Sequence, residues 1–195
     1  HLYTNSLSLF SMQINLVTSN PGKVKELKTY LEPEIKINHI KHEYRELRSD
    51  NPGEIAEESA QRLANELKKP VVVEDSGLFI KDLNDFPGTC SSYIHKRIGL
   101  KGILKLMENI NDRECTYKSA IAYCEPKKDP ISFLGEEKGK IAKEIKGNHG
   151  FGHDPIFIPE KSNKTYGEIE NCENLKKFRR KAAEKLKHYL LEEQQ

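Results

Sequence analysis

The segment Thr18–Lys23 contains residue types that could bind an anion. It reads Thr-Ser-Asn-Pro-Gly-Lys and joins a short apolar run to a stretch with helical hydrophobic spacing. Asn20 is a favourable helix cap and Pro21 suits the first helical position. A helix start exposes unpaired N–H groups and a partial positive charge, to which Lys23 adds a full charge. The segment therefore indicates either a phosphate site or an ordinary capped helix with a surface lysine, and it is not a Walker A loop.

Two adjacent carboxylates, Glu74 and Asp75, follow the β-branched run Val71–Val73 and precede Ser76 and a glycine. Acidic residues at a strand end often lie at the rim of an α/β crevice, where ligands bind. Because side chains alternate along a strand, we expect only one of the two to face the cleft. Such oxygen ligands suit Mg²⁺, which binds one or two carboxylates together with substrate phosphates. The alternative is a polar turn that caps a buried strand.

A further acidic segment, Glu43–Glu46, lies in a polar stretch after the second predicted strand. Either of its carboxylates could complete a metal site. Acidic residues in loops are mostly solvated, so a solvated loop is the favoured interpretation of this segment taken alone.

The glycine-rich segment Gly147–Pro155 could bind a nucleobase. Its three glycines permit close backbone approach and positive φ, while Phe151 offers an aromatic face and Asp154 an acceptor. His149 and His153 could instead suggest a metal, but no third nitrogen or sulfur ligand has suitable spacing. Solvent-facing histidines are therefore the favoured interpretation.

A basic cluster, Lys176–Lys181, lies near the start of a predicted C-terminal helix. An apolar stripe leaves these residues on the flanks and outer face of that helix. The cluster is either a solvated charged face or a set of contacts to nucleotide phosphate or base. The stripe consists of Leu175, Phe178, Ala182, Leu186 and Tyr189.

The elements that must position these residues are predicted to alternate between strands and helices at first, and to be mostly strands after that. We predict strands over 13–18, 35–40 and 71–73, the last extended or flanked by 78–80, and helices over 21–31, 53–68 and 99–107. Strands over 115–124, 130–135, 139–145 and 156–158 follow, joined in part by Glu-Glu-Lys-Gly, and a helix over 173–191 closes the chain. Early βα units followed by a meander indicate an α/β fold with a mixed sheet and flanking helices.

Composition limits the classes of function. The 195 residues fit one domain, and 32 basic against 30 acidic residues leave a net charge of +2, too balanced for a bulk nucleic-acid or membrane binder. No apolar run approaches the roughly 20 residues that span a bilayer. The four cysteines show no metal-ligand spacing, so we interpret them as reduced thiols of a cytoplasmic protein. Residues 1–11 lack a basic n-region and look like an upstream leader or an added tag, which leaves 12–195 as a single domain.

Three motifs, in order and spacing, resemble those of the inosine triphosphate pyrophosphatases. They are Thr18–Lys23, then Glu74–Phe79 with Phe86–Tyr93, then Gly150–Phe157. The resemblance runs from about Met12 to the final helix, and it is closest to archaeal-type members. It implies hydrolysis of the non-standard purine nucleoside triphosphates ITP, dITP and XTP to the monophosphate and pyrophosphate. It also implies a homodimer whose subunits have two lobes around a long substrate cleft.

The resemblance also implies a role for each matched residue. Asp75 would bind Mg²⁺ and accept a proton from the attacking water, and Glu46 would help to hold the metal. Phe151 would stack on the purine. The residues implied to contact substrate are Thr18, Ser19, Asn20, Lys23, Ser76, Phe151, Gly152, His153, Asp154, Arg179 and Arg180.

Two departures from the family pattern concern base recognition. Members commonly carry Ser-His-Arg near the start of the final helix, where this chain has Phe178-Arg179-Arg180, so that Arg180 matches the arginine. A preceding family lysine falls on Asn174, and Lys176 or Lys177 could replace it. A lysine of the second helix falls on Ser59 or Leu63. The alternatives are therefore a pyrophosphatase of broadened or shifted specificity and a nucleotide-binding module without turnover.

Overall fold

The computed structural model describes residues 12–192, so the predicted leader at 1–11 lies outside the described residues. The strands are β1 (Met12–Val17), β2 (Ile35–Ile40), β3 (Val71–Ile80), β4 (Phe86–Gly88), β5 (Glu114–Cys124), β6 (Ile131–Ile141) and β7 (Phe157–Pro159). The helices are α1 (Pro21–Leu31), α2 (Pro52–Leu67), α3 (Ser91–Leu106) and α4 (Phe178–Glu192). None of the helices in this described part is long and apolar enough to cross a membrane.

The strands form one mixed sheet in the order β2-β1-β3-β5-β6-β7, with β4 paired to β3. β1 runs parallel to β2 and β3, because α1 and α2 supply the crossovers that parallel neighbours need. The remaining pairs are antiparallel. The predicted α/β fold with a mixed sheet is confirmed.

Alternation along β3 distributes the helices over the two faces of the sheet. Val72 points to the face covered by α1 and α4, whereas Val71 and Val73 point to the face covered by α2. The second half of β3 enters a separate cluster with α3, through Leu78 and Ile80. This one strand therefore contributes residues to three clusters of the core.

The neighbours of β3 change halfway along it. β1 pairs with it at Val72 and β4 pairs with it at Leu78–Ile80, while β5 lies along its other edge throughout. The intervening residues 73–77 thus have a strand on one side only. At the end of this gap β4 comes very close, since a Cβ on Gly77 would lie 2.0 Å from the carbonyl oxygen of Gly88.

One predicted turn is wrong and one alternative is excluded, because both segments lie inside strands: the predicted turn is Glu136–Gly139, and the alternative is the polar turn at Glu74–Gly77. Glu74–Gly77 is part of β3, and Glu136–Gly139 is part of β6, paired with β5. In β6 the side chain of Glu137 points inward, which the polar sequence did not suggest. It is tolerated because the Tyr166 hydroxyl and the backbone N–H of Lys177 donate to its oxygens at 2.5 and 2.7 Å.

Two predicted helix boundaries also differ. The C-terminal helix begins at Phe178 rather than 173, since Cys172–Asn174 forms a separate 3₁₀ turn. The third helix begins at Ser91 rather than 99, and Gly99, with φ +63°, interrupts it. Ser91 holds that start in place: its hydroxyl donates to Gly88 and accepts from the backbone N–H of Leu78.

Candidate active site

An open cavity of about 490 Å³ lies at the gap along β3. The loops after β1 and β2, the β4–α3 junction, the glycine-rich loop and the start of α4 complete its wall. All but one of the predicted site residues line it. They are Thr18, Ser19, Asn20, Lys23, Glu46, Asp75, Ser76, Phe151, Gly152, His153, Asp154 and Arg179.

The start of α1 forms one end of the cavity. The Asn20 side chain accepts from the backbone N–H groups of Gly22 and Lys23, at 2.9 and 3.3 Å, and so caps the helix. The Nζ of Lys23 lies 2.8 Å from Oε2 of Glu74. Burial alone would lower the pKa of Lys23, but Glu74 and Asp75 outweigh that effect and raise it. This end therefore presents a permanent cation and a helix N-terminus.

Glu74 and Asp75 are neighbours in different environments. Asp75 lines the cavity, and burial, with help from Glu74 and Glu46 and against Lys23, raises its pKa to about 7. Burial would also raise the pKa of Glu74, but Arg179 and Lys23 lower it to about 2. Glu74 therefore stays ionised and paired with its cations, whereas Asp75 is the carboxyl that can exchange a proton with a molecule in the cavity.

The acidic residues around the cavity fit a magnesium ion. Oδ2 of Asp75 is buried and has no hydrogen-bond partner among residues 12–192. Glu43 and Glu46 line the same cavity on the loop after β2. The described residues contain no group of three His, Cys, Asp or Glu side chains that could hold a metal on its own. Substrate phosphates and water would complete the coordination, as is usual for Mg²⁺.

The glycine-rich loop forms the other end of the cavity. Two cations lie near the centre of the Phe151 ring: Nζ of Lys176 at 4.6 Å and the guanidinium of Arg179 at 5.6 Å. The edge of this ring packs on the start of α1, since a Cβ on Gly22 would lie 2.5 Å from the ring. Asp154 accepts from the backbone N–H of Phe151 at 2.6 Å and from Lys176 at 2.7 Å. An aromatic face, donors and an acceptor therefore converge here.

A buried ionic network that sequence reasoning missed joins the two ends. Glu26 of α1 bonds both Arg179 and Lys176, and Arg179 also donates to Glu74 at 2.9 Å and to Ser76 at 3.0 Å. Glu26, Lys176 and Arg179 are each at most 2% exposed. One signal in the sequence could have identified Glu26: it follows Lys23 by three residues, which places both side chains on one side of α1.

Arg180 does not line the cavity with the other predicted residues. Its guanidinium lies over the Tyr30 ring at 5.2 Å and donates to the carbonyl of Asn174. Neighbouring residues on a helix point in different directions, and Arg179 takes the inward one. Arg179, rather than Arg180, is therefore the arginine at the start of α4 that lines the cavity.

Only one of the two lysines that could replace the missing family lysine reaches the cavity. Lys176 lines the cavity, whereas Lys177 is exposed. Phe178 also lines the cavity and stacks on Tyr117, with ring centres 4.5 Å apart and planes at 14°. This position of the cavity wall thus carries no polar side-chain atom.

A further wall of the cavity was not predicted. It comes from the β4–α3 junction and carries mostly hydroxyl and basic groups. His95 on this wall meets His153 edge to face, with ring centres 5.1 Å apart. The members of this wall are Thr89, Ser91, Ser92, His95 and Lys96.

Comparison with known proteins identifies a family and similar sequences. Residues 14–189 match the model of the Ham1 family. The dITP/XTP pyrophosphatase of Methanopyrus kandleri is 45% identical over 165 residues, which cover 83% of this chain and 88% of that protein. That of Pyrococcus horikoshii is 45% identical over 159 residues, covering 81% and 85%.

Solved structures give the same result. A HAM1 protein from Coxiella burnetii superposes with a TM-score of 0.81 at 29% identity, covering 93% of this chain and 99% of that one. The Staphylococcus aureus Ham1 protein gives 0.78 at 27% identity, covering 92% and 99%. The match to the family model over most of the sequence, and relatives this similar, show that the chain belongs to the Ham1 family.

Proposed function

We propose that this protein hydrolyses non-standard purine nucleoside triphosphates, namely ITP, dITP and XTP, to the monophosphate and pyrophosphate with Mg²⁺. The observation that carries the proposal is Asp75, a buried carboxyl with an unpartnered oxygen, in the same cavity as Lys23 and the start of α1. The names of the relatives, dITP/XTP pyrophosphatases, support the substrate class.

In this mechanism water attacks the α-phosphorus, the bond between that phosphorus and the bridging oxygen breaks, and pyrophosphate leaves. Asp75 accepts the proton of the attacking water as general base. Lys23 and the positive end of the α1 dipole stabilise negative charge on the phosphate oxygens. Asp75 and Glu46 would hold Mg²⁺, which when bound neutralises phosphate charge and polarises the bond under attack.

The base would stack on Phe151 at the other end of the cavity. Arg179 and Lys176 are donors suited to a 6-keto oxygen, and Asp154 is an acceptor. Both cations already bond carboxylates of the protein, and any N–H groups they turn to the base can only donate. Adenine, with an amino group in place of the keto oxygen, would oppose a donor to these donors and is therefore disfavoured.

The experiment is pyrophosphate release from ITP, XTP, dITP, ATP, GTP and dUTP with Mg²⁺. We expect release from the first three to be the fastest. Release from none of the six, with retained nucleotide binding, would favour the non-catalytic module. The proposal includes a homodimer of the 12–195 domain, which light scattering after size-exclusion chromatography tests, and no nucleic-acid partner.

Phe178 favours a second candidate, a pyrophosphatase of shifted specificity, because its ring offers the base no hydrogen bond. Under this hypothesis Phe178→His raises the kcat/KM ratio of ITP over ATP by about 10-fold, as one added hydrogen bond allows. The measurement is kcat/KM for both nucleotides in both proteins. A ratio that stays at the wild-type value would remove Phe178 as a determinant of specificity.

A further inference from the structure

The segment 41–51 carries part of the cavity wall without regular secondary structure of its own. It joins β2 to α2 and contributes Glu43, Tyr44 and Glu46 to the cavity. A metal ligand on such a loop is effective only if neighbouring groups hold the backbone in place. The contacts of the loop with the rest of the protein therefore decide where Glu46 lies.

Arg62 of α2 makes the closest of these contacts. Its Nη2 donates to the carbonyl oxygen of Arg45, the residue directly before Glu46, at 2.5 Å. Its guanidinium also lies 5.9 Å from the centre of the Tyr44 ring. On the other side its Nε donates to Glu58 at 3.0 Å, one helical turn earlier. Arg62 is thus held by its own helix while it holds two consecutive residues of the loop.

The loop is tied down again beyond Glu46. The Thr89 hydroxyl donates to the carbonyl oxygen of Ser49 at 2.6 Å, and the Ser49 hydroxyl donates to Glu54 at 2.7 Å. Residues 46–48 therefore lie between an anchor on α2 and an anchor on the β4–α3 junction. Arg62 is the anchor nearer to Glu46.

The Arg62–Glu58 pair contributes little to global stability. The two side chains are 37% and 40% exposed, and ion pairs at such exposure add little to the free energy of folding. Arginine is nevertheless the suitable residue, because a planar guanidinium can bond a carbonyl and lie against a ring at the same time. Lysine has the charge without that geometry.

We propose that Arg62 is a positioning residue, which fixes the 41–51 loop so that Glu46 lies ready to share a divalent cation with Asp75. The proposal rests on the proposed function for the identity of the metal. It assigns Arg62 no contact with substrate. Its consequence is that metal affinity, rather than folding or the chemical step, depends on this guanidinium.

The test compares Arg62→Ala and Arg62→Lys with the wild type and with Gln61→Ala, an exposed neighbour on the same helix. Mn²⁺ binding is followed by electron paramagnetic resonance with the α,β-methylene analogue of ITP, and hydrogen exchange reports on the amides of 41–51. We expect both Arg62 variants to weaken Mn²⁺ binding about 10-fold, as removing a group that orients a metal ligand does. We also expect faster exchange in the loop, an unchanged thermal midpoint, and wild-type behaviour of Gln61→Ala.

Several results would overturn the proposal. One is Mn²⁺ binding of wild-type strength in Arg62→Ala, with or without a change in exchange. Another is full recovery in Arg62→Lys, which would make charge alone sufficient. Pyrophosphate assays of the same proteins should show a raised Mg²⁺ half-saturation with kcat nearly retained. If the wild type releases no pyrophosphate, the proposed function fails, while Mn²⁺ binding and hydrogen exchange still decide the role of Arg62.

Discussion

Asp75→Asn is expected to lower kcat for pyrophosphate release by about 10²–10⁴-fold, the usual contribution of a general base. Asparagine has nearly the shape of aspartate, but it cannot accept the proton of the attacking water, and it is a poor ligand for Mg²⁺. The measurement is initial pyrophosphate release from ITP at saturating Mg²⁺, together with calorimetric binding of a non-hydrolysable analogue. Nucleotide binding should remain measurable, since the groups of α1 and the Phe151 end are untouched.

The variant should also fold normally, which separates this result from simple unfolding. Burial raises the pKa of Asp75 to about 7, so above that pH the folded protein carries a buried charge at a cost. In the unfolded chain the carboxyl ionises near its ordinary pKa, so its contribution opposes folding increasingly as pH rises from about 4 to 7. At pH 8 and without metal, Asp75→Asn should therefore be at least as stable as the wild type.

Asp82→Asn is the matched control, because it makes the same change at an exposed carboxyl outside the cavity. We expect wild-type kcat for it. Near-normal turnover in Asp75→Asn would instead exclude Asp75 as the base and leave the cavity without an assigned one.

The opposite environments of Glu74 and Asp75 depend partly on the local sequence and partly on distant residues. Alternation along a strand predicts that only one of them faces the cleft, and it follows from the local sequence. Which one does so depends on residues far along the chain. Arg179, which lies 105 positions after Glu74, donates to that carboxylate at 2.9 Å on the other face. The local sequence therefore predicted that one of the two carboxylates faces the cavity, but it did not predict which one.

Elements with their own local signals were predicted well. The start of α1 carries its cap, its proline and its buried stripe within one short segment, and its predicted bounds 21–31 are those of the structure. The start of α4 has no such signal, because its N–H groups are capped by Glu137 from β6. Elements whose ends are stabilised by distant residues are thus the ones whose boundaries were wrong.

Glu26 is a clear case of a role set by distant partners, and its loss should be strongly destabilising. Three carboxylates, Glu26, Glu74 and Asp154, balance the cations Lys23, Lys176 and Arg179 in the buried network. Glu26→Gln leaves that network with one excess positive charge out of contact with water. Breaking a buried ion pair in this way costs about 3–5 kcal/mol of unfolding free energy, which urea denaturation measures.

The comparison variant is Lys81→Ala, which removes an exposed lysine bonded to Asp112 and Glu114. Both variants break two ion pairs, but water solvates the charges left behind in Lys81→Ala, so its urea midpoint should stay near the wild-type value. Equal midpoints for the two variants would contradict the balance of charges assigned to the network. A selective loss in Glu26→Gln, accompanied by weaker nucleotide binding, would instead mean that one carboxylate both stabilises the fold and holds Lys176 and Arg179 at the base end of the cavity.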